Sequence, residues 1–163
     1  LEWSVARSDL APWHPGRCAE LIVNGKAVAH AGELHPRIIA AYGLPERSVA
    51  FAVALSALPD SALVRPTTVG TMPAAVQDVA LIVDSTVSAA ELEAALREGA
   101  GDLLESITLF DRYDKIGDGK ISLAFTLVFR APDRTLTGDE VSAMRESATA
   151  VASSKCGAVV RTA

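Results

Sequence analysis

Two carboxylates and two lysines crowd into YDKIGDGKISLAF, residues 113–125, an arrangement that two kinds of site would use. The first is a calcium loop. Counted from Asp114, such a loop needs an oxygen ligand at its third position and a bidentate Glu at its twelfth. The chain supplies Ile116 and Phe125 there, and the next residues read as a strand rather than a helix. The second is a phosphate loop, since Gly119-Lys120 matches its end. That loop requires a Gly five residues before Gly119 and Ser or Thr after the Lys. Asp114 and Ile121 occupy those places. Neither chemistry is equipped. The stretch reads instead as the polar tip of a hairpin, turn residues between two apolar runs.

The remaining chemistry-bearing side chains are dispersed. His14, Cys18, His30 and His35 lack the paired spacings of a zinc site. A Ser-His-Asp hydrolase is available in inventory only, because no strand-turn-helix nucleophile elbow occurs. His14-Pro15-Gly16-Arg17 reads as a loop closing against a strand at Ala19, and His35 precedes Pro36 at a helix start. Trp3 and Trp13 are expected to pack into the first module or against a part of the polypeptide outside this sequence. No catalytic residue and no metal ligand is assigned.

The elements that must position any site come from the patterning of 163 residues, half of them hydrophobic. That is a folded chain with room for a core rather than a disordered tail. No apolar run approaches the ~20 residues needed to span a bilayer, and no charged-then-apolar leader opens it. The chain starts at Leu1 rather than Met, which points to a piece of a longer polypeptide. Its net charge of −5 argues against a general nucleic-acid binder while permitting a local basic patch. Cys18 and Cys156, far apart and without a secretory signal, are expected to be reduced thiols in a cytoplasmic protein.

Two modules and a joint emerge. In residues 1–57, Ala19–Asn24 is a short apolar run, Asn24-Gly25 a two-residue hairpin turn and Lys26–Ala31 the returning strand. Pro36 to Tyr42 reads as a helix closed by Gly43, and Val49–Leu58 as a β-rich run. Residues 58–72 read as a linker rich in proline and poor in periodic apolar positions. From 73 to 163, Val79, Leu81 and Val83 mark a strand. Ser88 with Glu91 opens a helix bearing Leu92, Ala95 and Leu96, which Gly99-Ala100-Gly101 stops. Leu103 to Tyr113 is a second strand. Ile121, Leu123, Phe125, Leu127 and Phe129 alternate along a third, and Thr137 with Glu140 opens a second helix ended by Gly157. A last strand covers Ala158–Arg161. The order β-α-β-β-α-β is the ferredoxin-like split arrangement, so the whole is α+β. Both helices should cover the odd-numbered face of the third strand. The other face should stay open, carrying Asp78, Lys120, Ser122, Ala124 and Thr126.

The string LFDRYDKIGDGKISLAFTLVFRAPDRTLTGDEV resembles the C-terminal ferredoxin-fold anticodon-binding domain of bacterial phenylalanine–tRNA ligase β subunits. The resemblance lies in Leu109-Phe110-Asp111, Tyr113, Gly119-Lys120, Ser122-Leu123-Ala124, Arg134-Thr135-Leu136-Thr137 and Glu140-Val141. Upstream, HPGRCAEL (14–21) and GELHP (32–36) resemble the end of the catalytic-like module that precedes that domain. The resemblance covers nearly the whole chain in the right order. It implies a non-catalytic part of an enzyme whose α subunit activates phenylalanine with ATP and Mg2+. The implied partners are tRNA(Phe) and the α subunit in an (αβ)2 heterotetramer, with no membrane and no DNA. No cofactor is implied for this portion.

By that resemblance Asp111 is the position that meets the guanine at the 5′ end of the anticodon. A guanine presents two adjacent donors on its Watson–Crick edge, and one carboxylate can accept both. Tyr113 offers a ring on which a base stacks, Ser122 adds a hydroxyl, and Ala124 shares the same match. Lys120, Arg112, Arg130 and Arg134 are the candidate phosphate contacts. Val76-Gln77 stand where relatives carry a basic pair, which weakens phosphate contact at that edge. The alternative is a ferredoxin-like protein-interaction or regulatory module without RNA binding.

Overall fold

The computed structural model describes residues 3–58, 60 and 70–161. Most of the predicted linker, residues 59 and 61–69, lies outside them. The chain divides into two units, Leu1–Arg65 and Pro66–Ala163.

The first unit is an antiparallel meander in the order β1-β2-β3-β4: β1 (Trp3–Ser8), β2 (Trp13–Val23), β3 (Lys26–Leu34) and β4 (Val49–Val53). The Asn24-Gly25 turn has positive φ at both residues, 48° and 76°, as the two-residue hairpin requires. Helix α1 (Pro36–Tyr42) has its predicted bounds, and the His35 side chain caps it by accepting from the Arg37 amide at 3.2 Å. Strand β1 was not visible in the sequence, and β2 begins earlier than expected. His14-Pro15-Gly16-Arg17 is not a loop but part of β2, accommodated by an irregularity between Trp13 and Cys18. Trp13 is buried, its indole donating to the Ala50 carbonyl at 3.0 Å, whereas Trp3 is exposed.

The second unit carries β5 (Ala75–Asp84), α2 (Ala89–Ala100), β6 (Leu104–Gly117), β7 (Lys120–Phe129), α3 (Gly138–Cys156) and β8 (Val159–Val160). Its strands pair antiparallel in the order β6-β7-β5-β8. This is the ferredoxin-like α+β arrangement. Both capping boxes form: the Ser88 and Thr137 hydroxyls accept from the Glu91 and Glu140 amides, and each Glu returns to its cap. One face of the sheet packs on the helices. Val79, Leu81, Val83, Leu123, Phe125 and Leu127 interleave with Leu92, Leu96, Val141 and Ala148 to form the core. Gly99 does not stop α2. The helix passes through it and ends at Gly101, whose φ of 75° favours glycine.

Arg134 makes two hydrogen bonds, 2.8 and 2.7 Å, to the Glu140 carboxylate that caps α3. The Arg134 guanidinium, followed by the Thr137 amide and hydroxyl, holds the Glu140 carboxyl down at about 2 from an ordinary 4.5. A depressed acid stabilises the fold fully above its unfolded value and loses that stabilisation as pH falls through its folded one. Glu140→Gln keeps a capping side chain and removes the charge. We therefore expect the Tm gap between wild type and Glu140→Gln to be widest above pH 4.5 and to close toward about pH 2. Melting both proteins across that range checks it, and a gap independent of pH would contradict it.

Candidate functional site

Side chains alternate along a strand, so any irregularity decides which face each later residue occupies. Leu109 lies opposite Phe125, yet Asp111 lies opposite Ala124, so Phe110 is an extra residue on β6. This bulge resets the count. Before it, the even-numbered Thr108 shares a face with Thr126. After it, the odd-numbered Asp111 and Tyr113 join the even-numbered β7 residues on the face away from the helices. Arg112, opposite Leu123, consequently points to the helix side of this edge strand, where it pairs with Asp114 at 2.8 Å. It does not share a face with Asp111.

Two rows cross the helix-free face. Tyr113, Ser122, Ile82 and Val159 form one. Asp111, Ala124 and Ala80 form the other, and the Arg161 amide donates to the Ala80 carbonyl at 2.8 Å. Asp111 is exposed, and among the described residues no cation lies within ion-pairing distance of its carboxylate. Tyr113 is 43% exposed. Asp111 and Tyr113, two residues apart on one strand face, stand roughly 7 Å from each other.

The face is less open than expected. Ser122 is 3% exposed and Ala124 7%. Ser122 sits between Tyr113 and Ile82 on the flanking strands, and Ala124 between Asp111 and Ala80. In addition, the Arg161 guanidinium carbon lies 5.5 Å from the centroid of the Tyr113 ring. A phenol and a guanidinium reaching in from opposite edges close over the two central strands. This cation–π contact at an exposed site is worth about 0.5–1 kcal/mol, so it is easily broken. Further along, the Thr126 hydroxyl donates to Asp78 at 2.6 Å.

The remaining candidate cations differ. Lys120 is exposed beside the hairpin turn, where Asp118 and Gly119 have φ of 52° and 69°. The backbone there is a two-residue turn joining paired strands, not a metal-binding loop leading into a helix. Arg130 bonds Glu105 at 3.0 Å and the Met72 carbonyl, so it anchors the segment entering β5. Arg134 is held by Glu140. These two guanidinium groups are engaged within the protein. In the first unit, His30 stacks on Trp13 and lies 3.4 Å from Glu20, while His35 caps α1.

Sequence reasoning missed Arg161 and the Phe110 bulge. The bulge had a local signal, the consecutive apolar pair Leu109-Phe110 after the alternating run Ser106-Ile107-Thr108-Leu109. Arg161 had only its place just after the closing strand.

A four-stranded antiparallel sheet with two helices behind it and this row of side chains in front defines an open-faced ferredoxin-like module. The chain belongs to the family described as the ferredoxin-fold anticodon binding domain, which matches residues 70–161. Residues 1–55 match the phenylalanyl tRNA synthetase beta chain CLM domain. The chain is 47% identical to the phenylalanine–tRNA ligase β subunit of Corynebacterium efficiens, over 99% of this chain and 20% of that protein. It is 50% identical to that of Thermobifida fusca over 99% and 20%, and to that of Streptomyces avermitilis over 98% and 20%. It is homologous to bacterial β subunits of this ligase and spans about a fifth of the length of those relatives.

Proposed function

We propose that the chain is the C-terminal portion of a phenylalanine–tRNA ligase β subunit that grips the anticodon of tRNA(Phe). Residues 73–163 hold the anticodon, residues 1–57 end the catalytic-like module, and 58–72 join them. The observation that supports this most is the placement of Asp111 and Tyr113 on one helix-free face, a free carboxylate beside an accessible ring. The carboxylate accepts the two Watson–Crick donors of guanine, and the ring carries the base face. Ser122 and Ala124 form the floor beneath. Lys120 is the cation best placed to meet a phosphate, since Arg130 and Arg134 are engaged elsewhere and Arg112 lies on the other face.

The partners in this reading are tRNA(Phe) and the α subunit, assembled as an (αβ)2 heterotetramer in the cytoplasm. ATP and Mg2+ belong to the whole enzyme. Among the described residues no three His, Cys, Asp or Glu side chains converge as metal ligands would.

The test uses the complete β subunit assembled with its α subunit. Binding is measured to tRNA(Phe) and to a transcript whose first anticodon base is adenine instead of guanine. A bidentate contact to a base edge is worth about 1–3 kcal/mol of discrimination, so the wild type should prefer guanine by ~5- to 150-fold. Asp111→Ala should erase the preference. Equal affinities in the wild type, unchanged by Asp111→Ala, would remove the site. Binding that shows no decline with added salt would favour the protein-interaction reading, because phosphate contacts release counterions.

A further inference from the structure

We infer that Arg161 is the movable half of the nucleotide site, parked on the Tyr113 ring in the free protein and stacked on the far face of the base when one is bound. The inference rests on the anticodon-binding reading above and adds to it a residue from the opposite edge of the sheet. Strands β6 and β8 are separated by β7 and β5, so their axes lie roughly 14 Å apart. Only long side chains can bridge that span. Tyr113 comes from one edge and Arg161 from the other, and the guanidinium carbon reaches 5.5 Å from the ring centroid. The Arg161 backbone is fixed by its bond to the Ala80 carbonyl, while among the described residues no carboxylate pairs with its guanidinium, which rests on the Tyr113 ring.

The spacing dictates the movement. A planar base between two planar groups needs two contacts of about 3.5 Å, or roughly 7 Å from ring to guanidinium. The observed gap is too narrow, so a base that stacks on this face of Tyr113 must lift Arg161. It then meets a cationic plane on its outer side. Guanidinium groups stack on bases as they do on aromatic rings, and they do so whatever the base. Asp111 therefore selects the base, while Arg161 adds affinity without selecting.

Arg161→Ala and Arg161→Lys test this in the assembled ligase, against the guanine and adenine transcripts. By analogy with aromatic stacking platforms, Arg161→Ala should weaken both complexes by the same factor, ~5- to 150-fold, leaving their ratio unchanged. Arg161→Lys keeps the charge without the plane and should recover only a minor part. Full recovery by Lys would reduce the role to charge and overturn the inference. So would unchanged or tighter binding by Arg161→Ala, which would make Arg161 a bystander or a shield. Asp111→Ala runs alongside. If it erases guanine preference while Arg161 variants bind normally, only this inference fails. If all are silent, the site itself fails.

Discussion

Phe125→Ala is expected to destabilise the second unit by about 3–5 kcal/mol, the usual cost of truncating a buried Phe. Phe125 is fully buried, between Val79 and Leu109 on the flanking strands, facing the helices. Removing its ring deletes the transfer free energy of the side chain and leaves a void that a rigid sheet closes poorly. A domain of this size is stable by about 5–15 kcal/mol in total, so the loss is a large share. At about 4–8 °C per kcal/mol, Tm should fall by about 12–40 °C. Denaturant unfolding of wild type and variant measures it. A cost below about 1 kcal/mol would mean that the sheet and helices do not share a packed interior here. Because Ala124 and Thr126 flank Phe125 and face the other way, the same substitution should also loosen the floor of the candidate site.

Gly99→Ala is the second large effect, and two principles disagree about its sign. In an exposed helix the change favours folding by about 1 kcal/mol, since alanine has the better helix propensity. Here the added methyl would stand 2.6 Å from the Ser147 carbonyl oxygen and 2.7 Å from the Ala148 Cα. Both are backbone atoms of α3 and cannot turn aside as a side chain can. The helices would have to separate, and overpacking of this kind costs about 1–3 kcal/mol and sometimes more. Packing wins, so the variant should be less stable than wild type. A raised midpoint in chemical denaturation would contradict that contact.

Features written in local chemistry were legible in the sequence. Ser88 with Glu91 and Thr137 with Glu140 mark helix starts because a hydroxyl and a carboxylate three residues apart satisfy each other's backbone groups. The alternation from Ile121 to Phe129 marks a strand with one buried face, and Asp118-Gly119 marks its turn. What was not legible depends on residues distant in sequence. Gly99 looked like a helix stop because its close approach to α3 is a tertiary fact. Strand β1 was missed because its exposed edge residues carry no clean alternation. Ser122 and Ala124 read as open because they are small and lie on the polar face, and their burial comes from neighbours on other strands. The meeting of Arg161 with Tyr113 required the strand order.

Ala80 and Ala124 stand side by side at the middle of that sheet. With only methyl groups at those two positions, the central strands carry low side chains there, and the height of the face is set by what they lack. A leucine at 124 would raise that part of the face by an isobutyl arm and, on the proposed reading of the site, would weaken base binding without altering any polar group. The relief of this surface thus begins with subtraction, and the smallest residues set its height.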